Sequence, residues 1–223
     1  MSNKNVVIVD YGLGNLHSVN KAVALVGGNP VITGDREIIA VAEKLILPGV
    51  GAFGDCMANL EKAGVIPVIK EYIAADKPFL GICLGMQVLF EESEEAPGVK
   101  GLGVFPGKVV LIPTSLKIPH MGWNQLNLKT VSPLLAGSEG QYVYFVHSYC
   151  CRPEDRALIT SVCDYGTEIV ASVGRGNISG VQFHPEKSSE VGLAMLKRFV
   201  NLYFAGKEKI RAKHRERLRY FMR

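Results

Sequence analysis

The sequence predicts an α/β protein: a doubly wound, mostly parallel sheet flanked by helices, with an antiparallel β portion in the second half. Two patterns predict it. Short apolar runs rich in β-branched residues alternate with helical patterns as far as residue 91, and from about Gly101 strand-like runs follow one another with little helix between them. At 223 residues, 48% of them hydrophobic, the chain is long enough for one well-buried body.

In the first half, Val6-Val7-Ile8-Val9 precedes a helical pattern over residues 16–26, and Pro30-Val31-Ile32 precedes one over 37–42. Leu45-Ile46-Leu47 precedes residues 57–75, and Phe79-Leu80-Gly81-Ile82 precedes 84–91. Strands this uniformly apolar belong in a parallel sheet covered on both faces. In the second half, strand-like runs occur at 108–112, 142–146, 157–159, 169–173 and 178–183, with Gly174-Arg175-Gly176-Asn177 as a hairpin connection between the last two. A final helix over 188–205 carries Val191, Met195, Phe199 and Leu202 on one face, which packs on the sheet. Residues 1–206 are expected to form one domain, followed by a basic tail over 207–223. In such a sheet the active site lies at the carboxyl ends of the parallel strands.

Composition narrows the functional classes. No apolar run approaches the roughly 20 residues needed to span a bilayer. Met1-Ser2-Asn3-Lys4-Asn5 leads into the first strand without a signal peptide's basic start and small-residue cleavage site, so a cytoplasmic protein is expected. Five cysteines (Cys56, Cys83, Cys150, Cys151 and Cys163) form no CxxC pair, which argues against both a disulfide framework and a zinc knuckle. The net charge of +4 arises in residues 207–223, where eight Lys/Arg stand against Glu208 and Glu216. That segment alone is +6, so the body is about −2 and gives no reason to invoke nucleic acid. The tail reads as a solvated extension, with an RNA-binding or partner-docking appendage as the lesser alternative.

The chemistry centres on Gly81-Ile82-Cys83-Leu84-Gly85, where an apolar strand gives way to a helical pattern. This is the nucleophile-elbow arrangement with Cys in the place of Ser. The sharp turn needs Gly81 and Gly85 for clearance and leaves the Cys83 sulfur at a helix start, where the dipole favours the thiolate. In Gly180-Val181-Gln182-Phe183-His184-Pro185-Glu186 a strand ends on a histidine. Pro185 biases His184 toward extended geometry, in which Glu186 shares its side and orients the ring as the third member of a triad. An oxyanion needs donors: the backbone N–H of Leu84, and a second from Val50 in the glycine-rich loop Pro48-Gly49-Val50-Gly51.

Other histidines rank lower as bases. His17 sits in the first helix and His214 in the tail; His120 and His147 have no carboxylate two or three residues away. Gly12-Leu13-Gly14 resembles the start of a dinucleotide fingerprint, but His17 occupies the third glycine position. Cys83, His184 and Glu186 lack a paired metal-ligand spacing, so no metal and no cofactor are expected.

With these residues laid out, the chain resembles the class I, or triad-type, glutamine amidotransferases, and among them the glutaminase subunits of imidazole glycerol phosphate synthase. Six phrases match in order, Phe145-Val146-His147-Ser148-Tyr149 among them, and those more particular to this subunit are the Asp10-Tyr11-Gly12 opening and Pro119-His120-Met121-Gly122-Trp123-Asn124. The resemblance implies hydrolysis of glutamine to glutamate and ammonia, and a separate (βα)8-barrel cyclase partner in a heterodimer. The ammonia would be channelled there to make imidazole glycerol phosphate and aminoimidazole carboxamide ribotide in histidine biosynthesis. It further implies that Gly51, Gln87, Glu95, Ser148 and Tyr149 hold the glutamine, and that Asn15, Trp123, Tyr144 and Lys187 lie near the partner. The competing readings are an ammonia-donating subunit serving aminobenzoate, anthranilate or pyridoxal phosphate synthesis, a cysteine peptidase or other hydrolase on this sheet, and a non-catalytic binding module.

Overall fold

The computed structural model describes residues 4–202. Its central sheet runs in the order β2-β1-β3-β4-β13-β12-β11-β8, with β1 at Asn5–Val9, β2 at Asn29–Thr33, β3 at Leu45–Gly49, β4 at Phe79–Cys83, β8 at Asn127–Leu128, β11 at Ile159–Asp164, β12 at Glu168–Arg175 and β13 at Ile178–Val181. From β2 to β13 the strands are parallel; β12, β11 and β8 continue antiparallel. Two small sheets complete the second half: β10 (Tyr149–Pro153) with β6 (Gly107–Leu111) and β5 (Glu92–Ser93), and β7 (His120–Gln125) with β9 (Tyr142–His147). The predicted fold class holds, and so does the hairpin, which turns tightly between Arg175 and Ile178.

Strand alternation divides the core in two. Val7, Val9, Leu45 and Leu47 face one side, against α2 (Arg36–Val41), α3 (Phe53–Lys62) and α4 (Ile66–Ala74). Val6, Ile8 and Ile46 face the other, against α1 (Leu16–Leu25) and α6 (Ser189–Asn201). Both faces are buried, which is why these strands are apolar at every position. The same alternation sends Cys150 of β10 into one core and its neighbour Cys151 into the other. Among the described residues no helix is long and apolar enough to cross a membrane.

Several elements differ from expectation. The helix expected over residues 57–75 is two helices, α3 and α4, broken at Gly64 with φ +67°, and Pro67 lies in the first turn of α4. The helix expected over 84–91 is the single turn α5 (Leu84–Gln87). The N–H groups that would continue it go elsewhere: Leu89 N and Phe90 N donate only three residues back, to Met86 O and Gln87 O, and Glu91 N donates across to Gly107 O. The strand expected over 157–159 begins only at Ile159, because the Asp155 side chain accepts from Ala157 N and winds Arg156–Leu158 into a 3-10 turn. Helix α6 ends at Asn201, short of the expected 205, because Leu202 turns extended as its C-cap (φ −56°, ψ 132°); residues 203–205 and the basic tail at 207–223 fall outside the described residues.

Candidate functional site

Strands β3, β4 and β13 lie side by side and end at one edge. Register pairs Gly49 with Cys83 and Ile82 with Val181. The loop after β3, the cysteine ending β4 and the histidine after β13 are thereby delivered to the same place, at the carboxyl ends of parallel strands.

Cys83 has φ +54° and ψ −109°, a conformation an L-residue adopts only when its surroundings force it. The two flanking glycines show how. A Cβ on Gly85 would run into the carbonyl oxygen of Leu47, and one on Gly81 into the carbonyl oxygen of Gly85. The elbow therefore packs backbone on backbone, with β3 as its floor. Because α5 is a single turn, the expected full helix dipole is reduced to the few free N–H groups of that turn.

His184 Nδ1 donates to Glu186 Oε1 at 2.7 Å, with side chains 3% and 1% exposed. His184 is extended, as Pro185 requires, but Glu186 reaches it through the 3-10 turn Pro185–Lys187, not through the side-sharing of an extended strand. Burial alone would depress the imidazole. The Cys83 sulfur and the Glu186 carboxylate outweigh it and push His184 up to about 9. Nε2 itself is buried without a hydrogen-bond partner, so the sulfur acts on it across a gap that no hydrogen bond has closed. The backbone holds this segment in place: His184 N donates to Tyr144 O, the Ser188 hydroxyl donates to His184 O, and Tyr144 N donates to Ser188 Oγ.

A cavity of about 270 Å³ brings Cys83 and His184 together with Val50, Gly51 and Leu84. Gln87, Glu95, Ser148 and Tyr149 line the same space. Glu95 Oε2 accepts from Phe53 N at 2.8 Å, tying this wall to the start of α3. The Tyr11 hydroxyl donates to Pro48 O at 2.8 Å, and Gly49, paired with Cys83, is packed against Leu84 and Gly85, whereas Gly51, with φ +96°, stands clear of its neighbours. A larger depression of about 590 Å³ lies near Lys70, Asp76 and Arg175 at the beginning of β13, the opposite end of the strand, and contains none of the candidate residues.

The residues expected near a partner lie outside the cavity. Trp123 is 52% exposed and meets Tyr144 edge-on at 6.1 Å, while Lys187 Nζ stands 5.9 Å over the Tyr144 ring. Asn15 caps α1, accepting from Ser18 N at 3.4 Å. Three further cavity residues, Pro119, Val146 and His147, had no site role expected. Fully buried Gln182, whose Nε2 stands 3.7 Å from Cys83 Sγ, had none either. A polar residue inside an apolar strand run, on the same side as His184, was the signal for it. Among the described residues no group of three or more His, Cys, Asp or Glu side chains is arranged to hold a metal ion.

A buried imidazole oriented by a carboxylate, beside a cysteine on a strained turn, is equipped for nucleophilic attack on a carbonyl. Comparison with known proteins gives the family. Residues 7–202 match the family model of the class-I glutamine amidotransferases. The chain is 50% identical over 195 residues to the imidazole glycerol phosphate synthase subunit HisH of Aquifex aeolicus, covering 86% of this chain and 94% of the relative. It is 49% identical over 197 residues to the subunit of the same name from Methanothermobacter thermautotrophicus, covering 88% and 98%. A solved glutamine amidotransferase shares the fold at a TM-score of 0.70 and 17% identity, over 88% of this chain and 99% of that one. An elbow cysteine and a carboxylate-held histidine thus stand in a chain that belongs to the class-I glutamine amidotransferases and, within them, to the family of the imidazole glycerol phosphate synthase subunit HisH.

Proposed function

We propose that this chain is the glutaminase subunit of an imidazole glycerol phosphate synthase, acting in histidine biosynthesis. Cys83 attacks the side-chain amide carbon of glutamine as the thiolate. The backbone N–H groups of Leu84 and Val50 receive the oxyanion. His184, protonated in the resting ion pair, gives its proton to the departing amide nitrogen, which leaves as ammonia. The thioester that remains is hydrolysed by a water that gives its proton back to His184, releasing glutamate and the Cys83 thiolate. Glu186 holds the ring and stabilises its charge throughout. Glu95, Gln87, Gly51, Ser148 and Tyr149 hold the glutamine.

The observation that carries this reading is the pair of strand registers, Gly49 with Cys83 and Ile82 with Val181, that sets loop, thiol and imidazole around one cavity. Ammonia released into water would be protonated and lost, so a second subunit must receive it in a closed space. A cyclase with a (βα)8 barrel, docked over Asn15, Trp123, Tyr144 and Lys187, fills that role and uses the ammonia to form imidazole glycerol phosphate and aminoimidazole carboxamide ribotide. The Val50 amide turns into the oxyanion hole only in this complex, with Gly51, at φ +96° and uncrowded, supplying the backbone freedom on its far side. A structure of the active complex with glutamine bound, its Val50 amide still turned away, would sink that last step.

Cys83→Ala tests the whole reading. With the cyclase present, glutamine-dependent turnover is lost and ammonia-dependent turnover persists; if glutamine-dependent turnover also persists, the assignment fails. A rise in glutaminase activity when the barrel is added excludes the peptidase alternative.

A further inference from the structure

Two buried amides stand beside the elbow: Gln87, which holds the glutamine in the chemistry above, and Gln182, which has no role there. Gln182 is fully buried, one place past the Val181–Ile82 register pair, which brings it alongside Cys83. A buried amide is costly unless both ends find partners, and the partners here decide which way each amide points. The decision starts at the Tyr149 carbonyl, which can only accept. Gln87 Nε2 lies 3.0 Å from it and 3.0 Å from Gln182 Oε1. Gln87 therefore donates both hydrogens of one nitrogen, and Gln182 turns its oxygen to Gln87. What remains of Gln182 is its Nε2, 3.7 Å from Cys83 Sγ. The direction is propagated from a carbonyl and does not depend on telling oxygen from nitrogen in either amide.

The Tyr149 carbonyl is pinned from its other side as well. His147 Nδ1 donates to it at 2.8 Å, which leaves His147 Nε2 to accept from His120 Nδ1 at 3.0 Å, and His120 Nε2 to accept from Asn124 Nδ2 at 3.2 Å. Asn124 is oriented independently, its Nδ2 donating to Asp164 O and its Oδ1 accepting from Gln125 N, both at 2.7 Å. Both ends of this chain demand the same neutral tautomers. The carbonyl's two lone pairs are thus spoken for, and the Gln87 and Gln182 amides cannot flip without stranding a buried donor or acceptor.

We propose that Gln182 is a catalytic residue whose Nε2–H donates a hydrogen bond to the Cys83 sulfur and stabilises the thiolate, with Gln87 and the Tyr149 carbonyl positioning that donor. It rests on Cys83 being the nucleophile. The sulfur is anionic before attack and again when the thioester breaks, so the donor acts at the start and end of each cycle and least in between. The chemistry matches an oxyanion-hole donor, aimed at sulfur in place of oxygen.

The test follows peptide-mapped alkylation of Cys83 by iodoacetamide against pH, on the full chain with its cyclase partner, for native protein, Gln182→Glu and Gln182→Met. Glu keeps the shape and the acceptor toward Gln87 but replaces the donor; Met removes both polar ends. A hydrogen bond to a charged group, once lost, moves the alkylation profile up by about one pH unit or more and slows the reaction near neutrality about tenfold. Gln182→Glu moves it further than Gln182→Met. A merely structural role lowers the melting temperature and leaves the profile where it was. Native and variant profiles that superimpose overturn the proposal. If one variant fails to fold, the other decides; if both fail, Gln87→Leu, which frees the Gln182 amide to turn, must shift the profile in the same direction. Retained glutamine turnover in Cys83→Ala sinks the nucleophile itself, whereas a required Cys83 with an unmoved Gln182 profile sinks only the donor.

Discussion

His184 Nδ1 and Glu186 Oε1 meet at 2.7 Å with both side chains almost wholly out of water. A carboxylate buried this deeply is tolerable only beside a cation or a strong donor, and the imidazole ring supplies either. Glu186→Gln keeps the size of the side chain and removes its charge. Glutamine-dependent kcat is expected to fall by about 10²- to 10⁴-fold, as when a triad carboxylate is neutralised, while ammonia-dependent turnover by the partner stays near native. Steady-state rates with each nitrogen source check this, and a kcat within threefold of native removes Glu186 from the triad.

Three buried histidines shape the dependence of stability on pH. His184 is raised from 6.5 to about 9, so its contribution is complete below about pH 6.5 and is lost as pH climbs toward 9. His120 and His147 are each lowered by burial from 6.5 to about 4; the fold must keep them neutral, and stability falls as pH drops from about 6.5 toward 4. The buried thiols Cys56 and Cys163, pushed up from 9.0 to about 12 by burial, add loss only above about pH 9. Urea unfolding at pH 5, 6.5 and 8.5 is expected to show its highest midpoint at 6.5. His184→Asn flattens the alkaline limb alone; a native midpoint that does not vary across these three values contradicts the assignment of charge to all three rings.

The parallel half of the fold was legible because its inner strands, Val6–Val9 of β1 with β3 and β4, are almost wholly apolar and buried throughout, a pattern that burial on both faces explains. Strand β7 was not legible: His120 is buried, Met121 and Trp123 are exposed, and the inward residue is polar because it bonds His147 across the β7–β9 pair. The elbow and the His-Pro-Glu turn announced themselves through residue types that packing rarely demands. Gln182 showed itself only as a polar residue in an apolar run, since its meaning depends on a register that sets it beside Cys83, and register between strands 99 residues apart is a tertiary fact. The helix that ended at Gln87 shows the same limit. Its sequence continues in helical fashion, but Leu89 and Phe90 donate only three residues back and Glu91 N donates to Gly107 O on a neighbouring strand, a competition invisible to local pattern.

Gly85→Ala isolates the elbow from the chemistry. The added methyl group has no free direction, because the carbonyl oxygen of Leu47 already occupies its place. Either β3 or the elbow must move. Overpacking of this kind costs about 1–3 kcal/mol, and displacement of Cys83 by even an ångström is expected to lower glutamine turnover by about 10²-fold. Thermal melts and glutaminase assays on one preparation separate the two effects. A variant with native activity and native melting temperature contradicts the close packing of backbone on backbone at this turn.

Trp123→Ala probes the surface beside the site. The indole is 52% exposed, touches Tyr144 edge-on, and shares that ring with Lys187, whose neighbour in the chain is Glu186. An exposed tryptophan contributes little to the fold, so unfolding free energy should change by about 1 kcal/mol or less. If the cyclase covers this surface, the same truncation removes a large aromatic anchor from the interface and should raise the Kd of the complex about 30-fold or more. The residual glutaminase activity of the isolated chain should not change, because Trp123 lies outside the cavity. Calorimetric titration with the cyclase measures the first quantity and a coupled glutamate assay the second. Unchanged affinity would move the partner surface away from Trp123, and a lost basal rate would mean that the indole acts on the Tyr144–His184 backbone bond from outside.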